Sequence, residues 1–249
     1  MRQKKERRGV LPGAVAALAL LLFGLTGIIR LLAGDAEGMR RAMLRYAPPA
    51  SAGLPEAAYA GVSEMLTGYL TDRVPVFQYA LEREGVEIPC FGANEAAHMA
   101  DVRGLIRLDT AVCLACLLLT VGAAAAAAVR NRGRGLAAWD GFFRGGRRAL
   151  LALGILAAGI GIWAAADFEG LFITFHRVAF TNDLWLMDPR TDLLIRLMPE
   201  TLFVHLGLRG LLWAAVWTLG SAAAVLLPGR RAARAAAGER ERTEANIGT

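Results

Sequence analysis

Cysteine is scarce in this chain of 249 residues, and the familiar motifs of soluble catalysis are missing. There is no phosphate-binding loop, dinucleotide fingerprint, nucleophile elbow or zinc-finger spacing, and no internal repeat. Of the three cysteines, Cys90 stands alone in a polar segment, which excludes an intrachain disulfide there. Cys113 and Cys116 form CLAC, the spacing of a redox or metal pair, but they lie inside an apolar run, where they read as small packing residues.

What is abundant is apolar sequence gathered in long runs rather than spread at helix or strand period. With a mean hydropathy of +0.41 this predicts an integral membrane protein. Four candidate spans, 10–32, 110–129, 149–166 and 202–227, each approach the roughly 20 residues a helix needs to cross a bilayer. Glycines 154, 159 and 161 lower helix propensity in the third span but permit close helix contact, so a packed bundle is expected. The first span has the basic start of a secretory signal, and LLAGD at 31–35 looks like a lipoprotein processing box. Asp35 stands where the lipidated cysteine would be needed, so an uncleaved signal anchor is expected.

Charge predicts the orientation. Segments 1–9, 130–148 and 228–249 carry 16 cationic against 5 acidic side chains, whereas 33–104 and 167–200 carry 9 arginines against 16 acidic residues. The positive-inside rule therefore assigns both termini and the basic loop 130–148 to the cytoplasm. The polar segments 33–109 and 167–201 then form outer loops. The pI near 9.8 has this topological use and does not call for a nucleic-acid partner.

The outer loops read as folded. A short amphipathic helix is expected over 54–70, on the membrane or against the bundle, and strands over 74–81 and 86–91 around an EREG turn. A helix from Asn94 is expected to run into the second span, placing His98 about 18 Å before Thr110. Around His176, the residues Phe175, Phe180, Leu184, Trp185 and Leu186 make an aromatic and apolar patch. Asn182 and Asp183 suit a turn, and 188–192 starts another helix reaching Pro199. The fold class expected is an all-α membrane protein: a four-helix transmembrane bundle with a small mixed extracytoplasmic domain built from the two outer loops.

Two outer histidines are the strongest chemical signal, because a neutral imidazole near its pKa of about 6.5 takes up and returns a proton at neutral pH. Asp101 follows His98 by one helical turn, and Asp183 or Asp188 is a candidate to orient His176. His205, at the outer start of the fourth span, reads as structural or pocket-lining. Arg30, Arg107 and Arg209 fall near outer span ends, where each can snorkel, anchor a lipid phosphate or stabilise an oxyanion, with Asp109 available to neutralise Arg107. Two competing readings are a zinc hydrolase gathering His98, His176 and His205, for which no helix-spaced ligand motif exists, and a non-catalytic envelope protein binding lipid or a partner.

The block E-x-x-H-M-x-D-V at Glu95 to Val102 and the later F-H-x-x-x-F-x-N-D-x-W-x-x-D-P-x-T-D-x-L-I-x-L-x-P-E at Phe175 to Glu200 resemble the lipoprotein intramolecular transacylase family. The specific match spans about 35 residues within a shared four-span plan. Met187 stands where leucine is expected, a conservative departure. The resemblance implies a multi-pass protein of the bacterial cytoplasmic membrane with an extracytoplasmic active site. It implies movement of the sn-2 acyl chain of a diacylglyceryl lipoprotein to the α-amine of its N-terminal cysteine. It also implies two essential histidines matching His98 and His176, with Arg107 or Arg209 as oxyanion candidates, and neither cofactor nor metal. The partners implied are the lipoprotein substrate and membrane lipid.

Overall fold

The computed structural model describes residues 9–247. The expectation for 1–9 falls outside them except at Gly9, as do the last residues of the 228–249 tail. The elements in chain order are helices α1 (Val10–Gly34), α2 (Ala36–Tyr46), α3 (Pro49–Ala52) and α4 (Ala58–Leu70), then strands β1 (Ala80–Arg83) and β2 (Val86–Pro89). After them come α5 (Ala93–Asn131), a 3-10 turn at Leu136–Trp139, α6 (Asp140–Ala166), α7 (Phe168–Ala179), α8 (Leu193–Leu197) and α9 (Glu200–Ile247). Four helices are long and apolar enough to cross a membrane, and they contain the four runs read from the sequence. Each extends beyond its run. At 39 residues α5 is about 58 Å long against a hydrocarbon core of about 30 Å, so a large part of it lies outside any single crossing.

The chain divides into two compact units, one of 27–111 and 163–213, the other of the segments through Thr26, 112–162 and 214 onward. In the first, α4 supplies the core: Tyr59, Val62, Leu66 and Thr67 are essentially inaccessible, packed with Met43, Leu54, Leu197 and Leu202. The amphipathic helix begins at Ala58, three residues beyond Pro55, and it is a core element. Helix α2 packs beside it, capped by Asp35, whose carboxylate accepts from the Gly38 N–H at 2.8 Å. The Tyr59 hydroxyl donates to the Ala47 carbonyl and so fastens the end of α2 to α4.

The hairpin is present but short. Strands β1 and β2 pair antiparallel with Ala80 opposite Pro89 and Arg83 opposite Val86. The turn is Glu84–Gly85 rather than the whole of EREG, both residues having positive φ (52° and 79°), the geometry that matches a two-residue turn to strand twist. Residues 74–79 are not strand; at the open end of the hairpin the Gln78 amide donates to Phe91 O, and its oxygen accepts from the N–H groups of Tyr79 and Phe91.

The second unit is held by close helix approach. A Cβ on Gly13 or Gly145 would collide with the backbone of the facing helix, at Phe142 O and Val10 O respectively. A Cβ on Gly24 would overlap the Trp217 indole, which lies edge-on to Phe23 and donates to Leu20 O at 3.0 Å. The expected role of glycines 154, 159 and 161 is corrected, since nothing lies within 4 Å of a Cβ built at any of them. The packing glycines of α6 sit in its first two turns instead.

Candidate functional site

Helix α5 opens at Ala93, and Glu95 in its first turn is 2 % exposed. One Glu95 oxygen accepts from the Gly92 N–H at 2.6 Å, satisfying an orphan donor of the helix start. The other accepts from the Leu194 N–H, also at 2.6 Å, in the first turn of α8. One turn further along α5 is His98, 7 % exposed, and a further turn on is Asp101. Residues three apart share a helix face, so Glu95, His98 and Asp101 form one stripe.

His176 arrives on α7, a helix where the sequence predicts a loop. Its start is fixed by Asp167, whose carboxylate accepts from the Gly170 N–H at 2.9 Å. The ring of His176 stacks on that of His98 with centroids 6.1 Å apart and an interplanar angle of 27°. Phe172, one turn earlier on α7, lies at 4.1 Å, Trp185 at 5.2 Å and Phe180 at 5.6 Å from His176, while Phe180 also stands 5.1 Å from His98. Phe180 and Trp185 are in turn walls of a cleft of about 420 Å3 whose rim carries Arg177, Asn182 and Asp183.

The hydrogen bonds settle the protonation of one ring. His176 Nδ1 lies 2.8 Å from the Phe172 carbonyl, which only accepts, so Nδ1 carries the ring proton and Nε2 of the neutral ring keeps its lone pair. His98 Nδ1 is buried and has no hydrogen-bond partner among the described residues. Such an atom costs about 1–3 kcal/mol. Burial lowers the pKa of both rings below the ordinary 6.5. For His98 the neighbouring His176 adds to this and Asp101 opposes it; for His176 the bond to Phe172 opposes it.

The other expected residues fall in three places. Asp101 does not hydrogen-bond His98; its carboxylate accepts from Asn182 Nδ2 at 2.9 Å, while the Asn182 oxygen accepts from the Leu184 N–H and closes the expected turn. Asp188 pairs with Arg190 at 2.7 Å and Asp183 lies at the cleft rim, so neither holds His176 Nδ1, which Phe172 already occupies. Arg107 pairs with Asp72 at 2.8 Å rather than with Asp109, and Arg209 with Asp35 at 2.9 Å. Hydrogen bonds from Arg107 and Arg103 hold the Asp72 carboxyl down to about 2. Arg30 donates to the Thr110 hydroxyl, and the His205 ring lies 5.2 Å from that of Tyr46. Among the described residues no three His, Cys, Asp or Glu side chains converge in a way that could hold a metal.

Glu95, Phe172 and the tie made by Asn182 are site features that the sequence does not predict. Glu95 acts on a backbone 99 residues away, which leaves no local signal. Phe172 did have one: Asp167 as cap, then Phe168, Phe172 and His176 at helical spacing.

The fold and the site define a helical membrane protein that buries two imidazoles, their centroids 6.1 Å apart, beside an aromatic cleft. The chain belongs to the lipoprotein intramolecular transacylase Lit family, whose model matches residues 14–203. It is similar in fold to the membrane integral lipoprotein intramolecular transacylase Lit from Bacillus cereus, with a TM-score of 0.66 at 19 % identity over 91 % of this chain and 96 % of that one. A variant of the same protein with a histidine replaced by arginine gives a TM-score of 0.62 at 19 % identity over 94 % and 96 % of the two chains. No protein of curated function matches the chain in sequence.

Proposed function

We propose that this chain moves the sn-2 acyl chain of a diacylglyceryl lipoprotein onto the α-amine of the same N-terminal cysteine, with His98 and His176 as the acid–base pair. The observation that carries the reading is the buried pair itself, one ring with a defined basic nitrogen and the other with an unpartnered one. The α-amine nitrogen attacks the ester carbonyl carbon, and His176 Nε2 takes the proton it sheds. When the tetrahedral adduct collapses, the acyl C–O bond breaks and that proton goes to the departing glycerol oxygen, leaving an amide and a free hydroxyl. His98 polarises the carbonyl or relays the proton. Donor and acceptor belong to one molecule, so the site has chiefly to fold that headgroup into attack geometry. No cofactor enters this scheme.

Arg107 and Arg209 are kept as candidates for the developing oxyanion, although each already has a carboxylate partner. Charge asymmetry supports an orientation with both termini and 130–148 in the cytoplasm and the histidine pair on the outer side of a bacterial cytoplasmic membrane. The test is tandem mass spectrometry of a reporter lipoprotein made with and without this chain. The expected product has unchanged mass with one acyl group on nitrogen. A reporter that stays O-diacylated would favour a non-catalytic lipid- or partner-binding protein.

A further inference from the structure

We propose that Glu95 is a positioning residue, whose buried carboxylate clamps the His98 helix to helix α8 and thereby sets the pair of imidazoles in register. This rests on the transacylase reading above. The side chain is 2 % exposed, and its two oxygens accept from two backbone N–H groups, of Gly92 and Leu194, both at 2.6 Å. A carboxylate is acceptor-only and so suits a position facing two donors. The partner across the chain is informative: Leu194 belongs to the polar segment that also carries His176, and it is itself buried.

Glu95 precedes His98 by one turn on the same face of α5. One turn beyond His98, Asp101 accepts from Asn182, again in the segment that carries His176. His98 therefore sits between two carboxylates, each reaching across to that segment, and that of Glu95 is buried. Neither carboxylate hydrogen-bonds a histidine. Their action is on the backbone, fixing how far α5 is turned and advanced relative to the second segment. Replacing Glu95 with Gln keeps the shape but turns one oxygen into a donor, which then faces a backbone donor.

The experiment compares native protein with Glu95→Gln and Glu95→Asp in detergent, reading kcat and KM on a diacylglyceryl reporter peptide. A second readout follows the rate at which diethyl pyrocarbonate modifies His98. Glu95→Gln is expected to lower kcat by about 10²-fold, the cost of a misplacement near 1 Å, with KM little changed and faster modification of His98. Glu95→Asp, which keeps the carboxylate one methylene shorter, is expected to recover part of both. Native kcat together with a native modification rate in a folded Glu95→Gln protein would overturn the proposal. If Glu95→Gln does not accumulate, the same two readings on Glu95→Asp decide, native values again overturning it. If the native protein converts no reporter, the transacylase reading fails, and the modification rates still decide whether Glu95 positions His98.

Discussion

The Phe172 carbonyl gives the two histidines unequal parts, since it fixes the proton of His176 on Nδ1 while His98 Nδ1 stays without a partner. Loss of either ring is expected to lower turnover by about 10²- to 10⁴-fold, the usual worth of acid–base catalysis, in His176→Ala and His98→Ala assayed on a reporter peptide. Both rings have a pKa lowered by burial, so the neutral form persists below pH 6.5. The two rings are therefore expected to stay neutral to lower pH than an ordinary imidazole, so that a fall in kcat beginning near pH 8 belongs to protonation of the substrate α-amine. A titration of the His98 and His176 rings at or above the ordinary 6.5, read by NMR of the protein without substrate, would contradict neutral, buried imidazoles. Stability has the same sign: the unfolded chain takes up protons first as pH drops through 6.5, so the thermal midpoint is full above that value and declines below it. The histidines were legible because a titrating group in a polar segment beside an apolar run is conspicuous. Their supports were not. Nearness in sequence is all that points to Asp101, Asp183 and Asp188, whereas Asp188 is taken by Arg190 two residues away and His176 by a carbonyl of its own helix.

Glycine separates packing helices from merely apolar ones. Gly13 and Gly145 mark where α1 and α6 approach backbone to backbone, so Gly145→Val is expected to destabilise by at least the 1–3 kcal/mol typical of overpacking. Gly159→Ala, whose Cβ meets nothing, is expected to leave the thermal midpoint unchanged or raise it, by up to about 1 kcal/mol of stability. Equal effects of the two substitutions on thermal unfolding in detergent would contradict the packing described. The long apolar runs identified the four long helices, since length and hydropathy suffice for that. They did not identify which glycines touch, because a glycine is equally visible in sequence whether or not a neighbour faces it. Helix α7 is masked in the sequence by the third apolar run beside its twelve residues, although the Asp167 cap and the Phe168–Phe172–His176 spacing mark it. The hairpin lies where the sequence predicts it and is shorter, with Gln78 bonded to Phe91 at its open end.

As a membrane protein of the transacylase family, the chain needs its charge asymmetry and its histidine site to agree on one orientation. Single cysteines placed at exposed Arg134 and exposed Glu87 in a cysteine-free background give the check. A membrane-impermeant maleimide is expected to label the Glu87→Cys protein in intact cells and the Arg134→Cys protein only after permeabilisation. The reverse pattern would put the histidine pair on the cytoplasmic side, away from any exported lipoprotein. The expected orientation rests on the basic loops alone, while the meeting of α5 and α7 at one pair of rings required the fold. The decisive measurement uses purified protein and a synthetic diacylglyceryl-cysteinyl peptide, with fragmentation locating the acyl group. Native protein is expected to yield N-acyl, lyso-glyceryl product, and His98→Ala and His176→Ala to yield almost none at native folding. Undiminished N-acyl product from both variants would contradict the histidine-pair mechanism.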